Sequence, residues 1–213
     1  MSDKIMVLCS GGMKSAFLTG LAKREGDPIL IHIDHGQKNR LYEQQAVAAL
    51  AEYYQVEVQT LTTRPTFAIQ SPLRAIVRSF CLVLDMARYY GCKQIYHGFD
   101  KDTWQAIPEL HEMHLTTNFL TNLRKLFLGI QPDYRITDTN QFQFTGTVDI
   151  DLPLYLLRLP HVLRLGNSYT IPWHLTRTCE SEHQQACGTC LACKRRITAF
   201  KCLQQEDPET YTL

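Results

Sequence analysis

Long apolar runs are missing from this chain of 213 residues. No stretch reaches the roughly 18 consecutive apolar residues that mark a membrane-spanning helix, so no span is expected. The start, Met1-Ser2-Asp3-Lys4, leads straight into a strand-like segment. It has no basic region, apolar region or cleavage site of a secretory signal, and a cytoplasmic protein is expected. A surplus of charge is missing too: 22 Lys and Arg stand against 21 Asp and Glu. Dedicated nucleic-acid binders are usually strongly basic, which argues against that class. Internal repeats and low-complexity linkers are also absent. The length suits one full core with a small appendage.

Cysteine, by contrast, is plentiful, with eight residues. Four of them form the pattern Cys179-x7-Cys187-x2-Cys190-x2-Cys193. Four thiolates satisfy a tetrahedral zinc ion and leave no open position, so such a metal is structural rather than catalytic. Gly188 follows the second of these cysteines, where a metal knuckle often needs a positive φ. Two disulfides, or free buried thiols, are the alternatives; a reducing compartment weighs against the disulfides. Cys9, Cys81 and Cys92 lie in apolar patterns and read as packing residues. Cys202 reads as structural rather than as a ligand. Around the cluster, Arg158, Arg164, Arg177, Lys194, Arg195, Arg196 and Lys201 face only Glu180 and Glu182. That basic excess is either a solvated face or a seat for phosphate or carboxylate.

The first hundred residues alternate short apolar runs with helical periodicity. Strands are expected at Ile5–Cys9, Ile29–Ile33, Val56–Leu61 and Gln94–His97, with helices at Lys14–Arg24, Leu41–Tyr54 and Ala75–Tyr90. Gly91 is the expected stop of the third helix. This alternation predicts an α/β, Rossmann-like parallel sheet with helices on both faces. From Gly98 to Asn140 the pattern loosens, with one expected helix at Thr117–Leu128. Phe142–Ile150 reads as extended. Pro160 suits a first helical turn, and a last helix is expected at Leu191–Leu203. The expected division is an α/β nucleotide-binding domain over 1–150 and a helical, zinc-binding C-terminal segment over 151–213.

Ser10-Gly11-Gly12-Met13-Lys14-Ser15 follows the first strand and opens the first helix. Two glycines let backbone approach an anion, and the helix N-terminus presents unpaired N–H groups. The spacing is not that of the Walker loop. An ordinary tight turn is the plain alternative. In open α/β sheets, ligands bind at the carboxyl ends of the strands. Ser10–Ser15, Asp34-His35-Gly36-Gln37, Arg74 and Gly98-Phe99-Asp100 all fall at such ends, and the topology predicts that they converge.

Ser10-Gly11-Gly12-x-x-Ser15 resembles the pyrophosphate loop, SGGxDS, of the N-type ATP pyrophosphatases (the PP-loop superfamily). Within it, the chain is most similar to the 7-cyano-7-deazaguanine synthase (QueC) family. Asp34-His35-Gly36-Gln37-Lys38-Asn39-Arg40 resembles that family's D-Y-G-Q-x-H-R. Leu175-Thr176-Arg177-Thr178-Cys179 through Cys193-Lys194-x-Arg196 resembles its zinc-binding tail, and Asp151-Leu152-Pro153-Leu154 its T-P-L segment. The departures are specific. Lys14 stands where the family has Asp. Ser71-Pro72-Leu73-Arg74-Ala75 keeps only Arg74 of a P-G-R-N segment.

The resemblance implies an ATP-dependent C–N ligase. ATP activates the carboxylate of 7-carboxy-7-deazaguanine as an acyl-adenylate, ammonia gives the amide, and a second activation gives the nitrile preQ0 of queuosine biosynthesis. It implies ATP, magnesium and a structural zinc ion at Cys179, Cys187, Cys190 and Cys193. Ser10, Gly11, Gly12, Met13 and Ser15 are carried over to the ATP phosphates. Asp34, His35, Gly36 and Gly98 are carried over to the rest of the nucleotide, and Arg74, Asp100 and Arg177 to the substrate. Ser10, Lys14 and Ser15 are the expected catalytic groups; Lys14 would neutralise phosphate charge. No residue is an obvious nucleophile, so positioning and electrostatics carry the rate. Members often pair, so a homodimer is a further expectation. Two other readings follow from the altered loop. One is a relative in an antiphage (type IV CBASS-like) system that transfers the activated acid to a protein amine. The other is a non-catalytic nucleotide- or deazaguanine-binding module.

Overall fold

The computed structural model describes residues 3–63, 72–105, 134–136, 142–144 and 148–212. Its main sheet grows from the apolar runs. Strand β1 (Lys4–Leu8) buries Ile5, Met6 and Val7 in succession, which only a strand covered on both faces tolerates. Ile5 and Val7 pack into one core with Phe17, Leu18, Val47 and Leu50. Met6, one residue out of phase, packs into a second core with Phe80, Val83, Leu84 and Ala87. Helices α1 (Met13–Glu25) and α2 (Arg40–Tyr54) supply the first layer, and α3 (Pro72–Tyr89) supplies the second.

β2 (Asp27–Asp34), β3 (Glu57–Thr62), β4 (Gln94–Tyr96) and β7 (Asp149–Asp151) complete a sheet of order β3-β2-β1-β4-β7. Every pairing in it is parallel, with Met6 opposite both Ile29 and Ile95. The chain winds outward from β1 to β3 and then returns to place β4 on the other side of β1. The direction of winding therefore reverses between β1 and β4, which opens a crevice at their carboxyl ends. The expected fold is the observed one.

After β4 comes the short helix α4 (Lys101–Gln105). β5 (Tyr134–Ile136) and β6 (Phe142–Phe144) form a small antiparallel pair. The segment expected to be one extended run from Phe142 to Ile150 thus serves two sheets, through β6 and β7. The helix expected at Thr117–Leu128 lies outside the described residues. Helix α5 (Leu159–Ser168) carries Pro160 in its first turn, where the missing N–H costs nothing. A 3-10 turn, Trp173–Leu175, leads to the cysteine segment, and α6 (Leu191–Cys202) follows it. Leu159, Val162 and Leu163 of α5 and Ala199 and Phe200 of α6 share the core of β1 and α1.

One cysteine expectation needs correction. Cys81, read as a packing residue, is exposed, whereas Cys9 and Cys92 are buried; Cys202, at the end of α6, is exposed and stands outside the thiol cluster. Among the described residues, no helix is long and apolar enough to cross a membrane.

Candidate active site

The turn between β1 and α1 depends on one glycine. Gly11 has φ +73°, and a Cβ there would lie 2.7 Å from Cβ of Ala46 on α2. Gly12 is the N-cap of α1 and brings no capping side chain, and the first turn of the helix holds no acidic residue. The helix's first N–H groups and its positive end are thus left for an outside anion. Inside the turn, Ser15 Oγ accepts the Ser10 N–H at 3.0 Å and lies 3.3 Å from Ser10 Oγ. The two hydroxyls are held together at the mouth of the turn.

This turn forms one side of a cavity of about 690 Å³ at the carboxyl ends of β1, β2 and β4. Of the residues singled out in the sequence, Ser10, Gly12, Met13, Lys14, Ser15, His35, Gly98, Asp100 and Arg177 line it. Gly11 sits behind the loop, against α2. Asp34 turns aside: its Oδ1 accepts the Gly36 N–H at 2.9 Å and its Oδ2 the Gln44 amide at 3.3 Å. Together with Gly36 at φ +81°, it shapes the loop that carries His35. Arg74 falls in the first turns of α3, and its side chain lies outside the described residues.

Lys14 does not stand free. Its ammonium donates to Asp100 Oδ1 at 3.1 Å and to Thr103 Oγ1 at 2.9 Å. The same Asp100 oxygen accepts the Thr103 N–H at 3.0 Å and its hydroxyl. Asp100 is almost fully enclosed, whereas Lys14 is 31% exposed at the cavity. The cation on the phosphate loop is thereby tied to the first turn of α4. Gly98 packs beside Lys14, where a Cβ would make ordinary contact at 3.4 Å with Cβ of Lys14.

The cavity floor carries one thiol and two imidazoles. Burial pushes the Cys9 thiol up to about 11, so it remains a thiol at neutral pH. His97 stacks on Phe80 at 4.6 Å, and burial, with Lys14 nearby, pulls its imidazole down to about 3. His32 places Nδ1 3.1 Å from the Cys9 carbonyl oxygen, which can only accept; Nδ1 therefore carries the proton.

Arg177 joins the cavity to the cysteine segment. Its backbone N–H donates to the Gly11 carbonyl at 2.8 Å, bracing the loop from behind. Its guanidinium donates to the His183 and Gln184 carbonyls at 2.7 and 2.9 Å, pairs with Glu209 at 3.4 Å and lies over the Tyr42 ring. Arg196 is 1% exposed and still more enclosed. Its Nε donates to both Asp207 oxygens at 2.9 and 3.0 Å, and its amino groups reach Thr176, Thr178 and the Trp173 carbonyl. Two of the seven basic residues of that excess, Arg177 and Arg196, are thus internal bracing.

Beyond these struts, the thiol sulfurs of Cys179, Cys187, Cys190 and Cys193 lie within 4.8 Å of one another. A tetrahedron with metal–sulfur bonds near 2.3 Å has edges of about 3.8 Å, so the set fits one ion. Backbone N–H groups of Cys187, Cys190 and Cys193 point at the sulfurs of Cys179, Cys187 and Cys190 at 3.3 to 3.4 Å. Hydrogen bonds from Thr189 and the Cys190 backbone lower the Cys187 thiol to about 6, while burial raises the Cys193 thiol, a cost that a bound metal ion would offset. Gly188 has φ +66°, as the knuckle requires.

Sequence reasoning missed several lining residues: His32, His97, Thr103, Thr178 and Arg195. His32 and Thr103 carry no local signal. Arg195 lay within the basic stretch after the cysteines, but nothing in the sequence separated it from its neighbours.

The profile described as "Queuosine biosynthesis protein QueC" matches residues 4–79 and 72–204. The 7-cyano-7-deazaguanine synthase of Thermosynechococcus vestitus is 25% identical over 239 aligned positions, covering 100% of this chain and 97% of that protein. The synthase of Koribacter versatilis is 27% identical, covering 99% of this chain and 94% of that one. Among solved structures, NMN synthetase from Francisella tularensis superposes with a TM-score of 0.51 at 16% identity, covering 96% of this chain and 78% of its own. A predicted tRNA methyltransferase subunit from Methanocaldococcus jannaschii gives 0.50 at 16% identity, covering 99% and 92%. These two likenesses concern the fold. With the loop, the crevice and the thiol cluster in place, and with a profile match running through nearly all of it, the chain belongs to the QueC family.

Proposed function

We propose that this chain is an ATP-dependent ligase that activates the carboxylate of 7-carboxy-7-deazaguanine and passes it to an amine. The observation that carries the reading is the uncapped start of α1, opening with Ser10 and Ser15 onto a ligand-sized cavity at the switch point of the sheet. The substrate class comes from the family and its relatives.

The chemistry follows from the charges. A carboxylate oxygen of the acid attacks the α-phosphorus of ATP, and pyrophosphate leaves with the bonding electron pair. The loop's N–H groups lie where that negative charge develops. An amine then attacks the acyl carbon, loses a proton, and expels AMP. With ammonia the product is the amide. The amide oxygen then attacks the α-phosphorus of a second ATP and expels pyrophosphate; the nitrogen gives up its two protons, and AMP departs with that oxygen to leave the nitrile. Lys14 supplies the positive charge of the loop, and Asp100 with Thr103 fixes where its ammonium sits. Magnesium accompanies the nucleotide. The Cys9 thiol stays protonated, which leaves positioning and electrostatics to provide the rate.

Zinc suits the four thiols. Held by Cys179, Cys187, Cys190 and Cys193, it would fill all four positions with protein ligands and serve only to fold the segment. The exchange of the loop acid for Lys14 supports a second reading, in which the acceptor is a protein amine and the nitrile step is lost.

Incubation with ATP, magnesium and the acid, with and without ammonia, separates these outcomes by mass spectrometry. Nitrile or amide supports a small-molecule product. Adenylate that accumulates, or a mass adduct on a protein amine, supports the second reading. No AMP with any amine leaves only a binding module and refutes the ligase.

A further inference from the structure

Two neighbouring arginines on α6 are treated in opposite ways. Arg196 is buried and meets the Asp207 carboxylate. Arg195 turns to the cavity, where an amino group donates to the Asp102 carbonyl oxygen at 3.2 Å. Three neighbouring cations are paired with acids. Lys14 has Asp100, Arg177 has Glu209, and Arg158 has Asp102 at 2.9 Å. Arg78, also on the cavity wall, has a partner as well. Among the described residues, Arg195 has no carboxylate within ion-pair distance, and most of its donors are unused.

Arg195 is also held in place. Cys190 caps α6 through its sulfur, its carbonyl accepts the Lys194 N–H at 2.9 Å, and Cys193 belongs to the thiol cluster. The bond to the Asp102 carbonyl fastens the guanidinium to α4, the helix whose first turn holds Lys14.

We infer that Arg195 is the receptor for the carboxylate of the acid substrate. A guanidinium offers a planar fork that matches a carboxylate. The nucleotide's phosphates have the start of α1, so the anion left for Arg195 is the one that the reaction consumes. This rests on the ligase reading above. Once the adenylate forms, the carboxylate charge is gone, so Arg195 acts chiefly in binding the acid before reaction.

Calorimetric titration of 7-carboxy-7-deazaguanine into the zinc-loaded protein tests this apart from turnover. Arg195→Ala should weaken acid binding about 10- to 100-fold, the range for a charged hydrogen-bonded pair. Arg195→Lys should recover only part of it. ATP affinity, zinc content and melting temperature should stay at wild-type values. Binding of 7-deazaguanine lacking the carboxylate should not respond to Arg195. Equal acid binding by wild type and Arg195→Ala, or an equal loss for the acid and its decarboxylated analogue, overturns the inference. Acid binding that depends on Arg195, with no AMP formed, refutes the ligase reading alone. No acid binding to the wild type overturns both.

Discussion

Replacing Asp207 by Asn isolates the value of one buried charge. The shape of the side chain is kept and its charge is lost. Arg196 then sits at 1% exposure with no carboxylate in contact; Glu209, at 3.9 Å, is the nearest remaining acid. The carboxylate also accepts the Glu209 N–H at 3.0 Å and the Tyr211 hydroxyl at 2.5 Å, and an amide cannot accept all of these donors. Two unit charges about 4 Å apart attract by about 4 kcal/mol at an effective dielectric of 20. Breaking one side of a buried pair costs about 3–5 kcal/mol. Glu209 keeps some compensation, so the lower end, about 3 kcal/mol, is expected. For a chain of this size that lowers the melting temperature by roughly 6–12 °C. Urea unfolding and thermal melting with zinc in excess measure it. A loss below about 1 kcal/mol would place Arg196 in the class of solvent-screened pairs and refute the reasoning.

Gly11→Ala should abolish ATP-dependent turnover, because the residue has φ +73° and an added Cβ would meet Ala46 at 2.7 Å; wild-type turnover would refute the close-packed loop. Cys190→Ser should lower zinc content, measured by metal analysis, and substrate binding together; zinc loss with unchanged binding would make the cluster scaffolding alone. His97→Gln should flatten the acid side of the stability profile. The folded imidazole titrates near 3 and the unfolded one near 6.5, so the unfolded state binds the extra proton between these values. Stability from His97 is thus present above 6.5 and lost as pH falls toward 3. Parallel stability profiles of wild type and variant at saturating zinc would remove His97 from the account. Lys14→Asp puts two carboxylates side by side with Asp100, and nitrile synthesis that rises in that variant would identify Lys14 as the cause of divergence.

The parallel sheet was readable because β1 and β2 are buried on both faces, which forces unbroken apolar runs such as Ile5-Met6-Val7. The knuckle was readable because metal geometry dictates close cysteine spacing and a positive φ at Gly188. The loop was readable because only glycine tolerates the position of Gly11. What stayed hidden is pairing across distance. Nothing near Lys14 announces Asp100, and nothing near Arg196 announces Asp207, since both partners are delivered by tertiary folding. Arg177 illustrates the limit. Its motif marked it for substrate and it lines the cavity; its guanidinium also meets two carbonyls and Glu209 and its backbone serves the loop, none of which the motif announces. Arg195 and Arg196 look identical in sequence; the helix turn between them decides which meets an acid and which meets the cavity.

The bond from Arg177 to Gly11 also orders events in time. Synthesis releases the glycine turn early and its brace late, and domains tend to form as the chain emerges, N-terminal part first. The sheet of β1, β2 and β3 can assemble while that brace is still unmade. Chains that end before Arg177 would lack this brace and also Ala199 and Phe200 of α6, which share the core of β1 and α1. Competence would arrive as a late step of maturation, set by closure of a very long stretch of chain rather than by formation of the sheet.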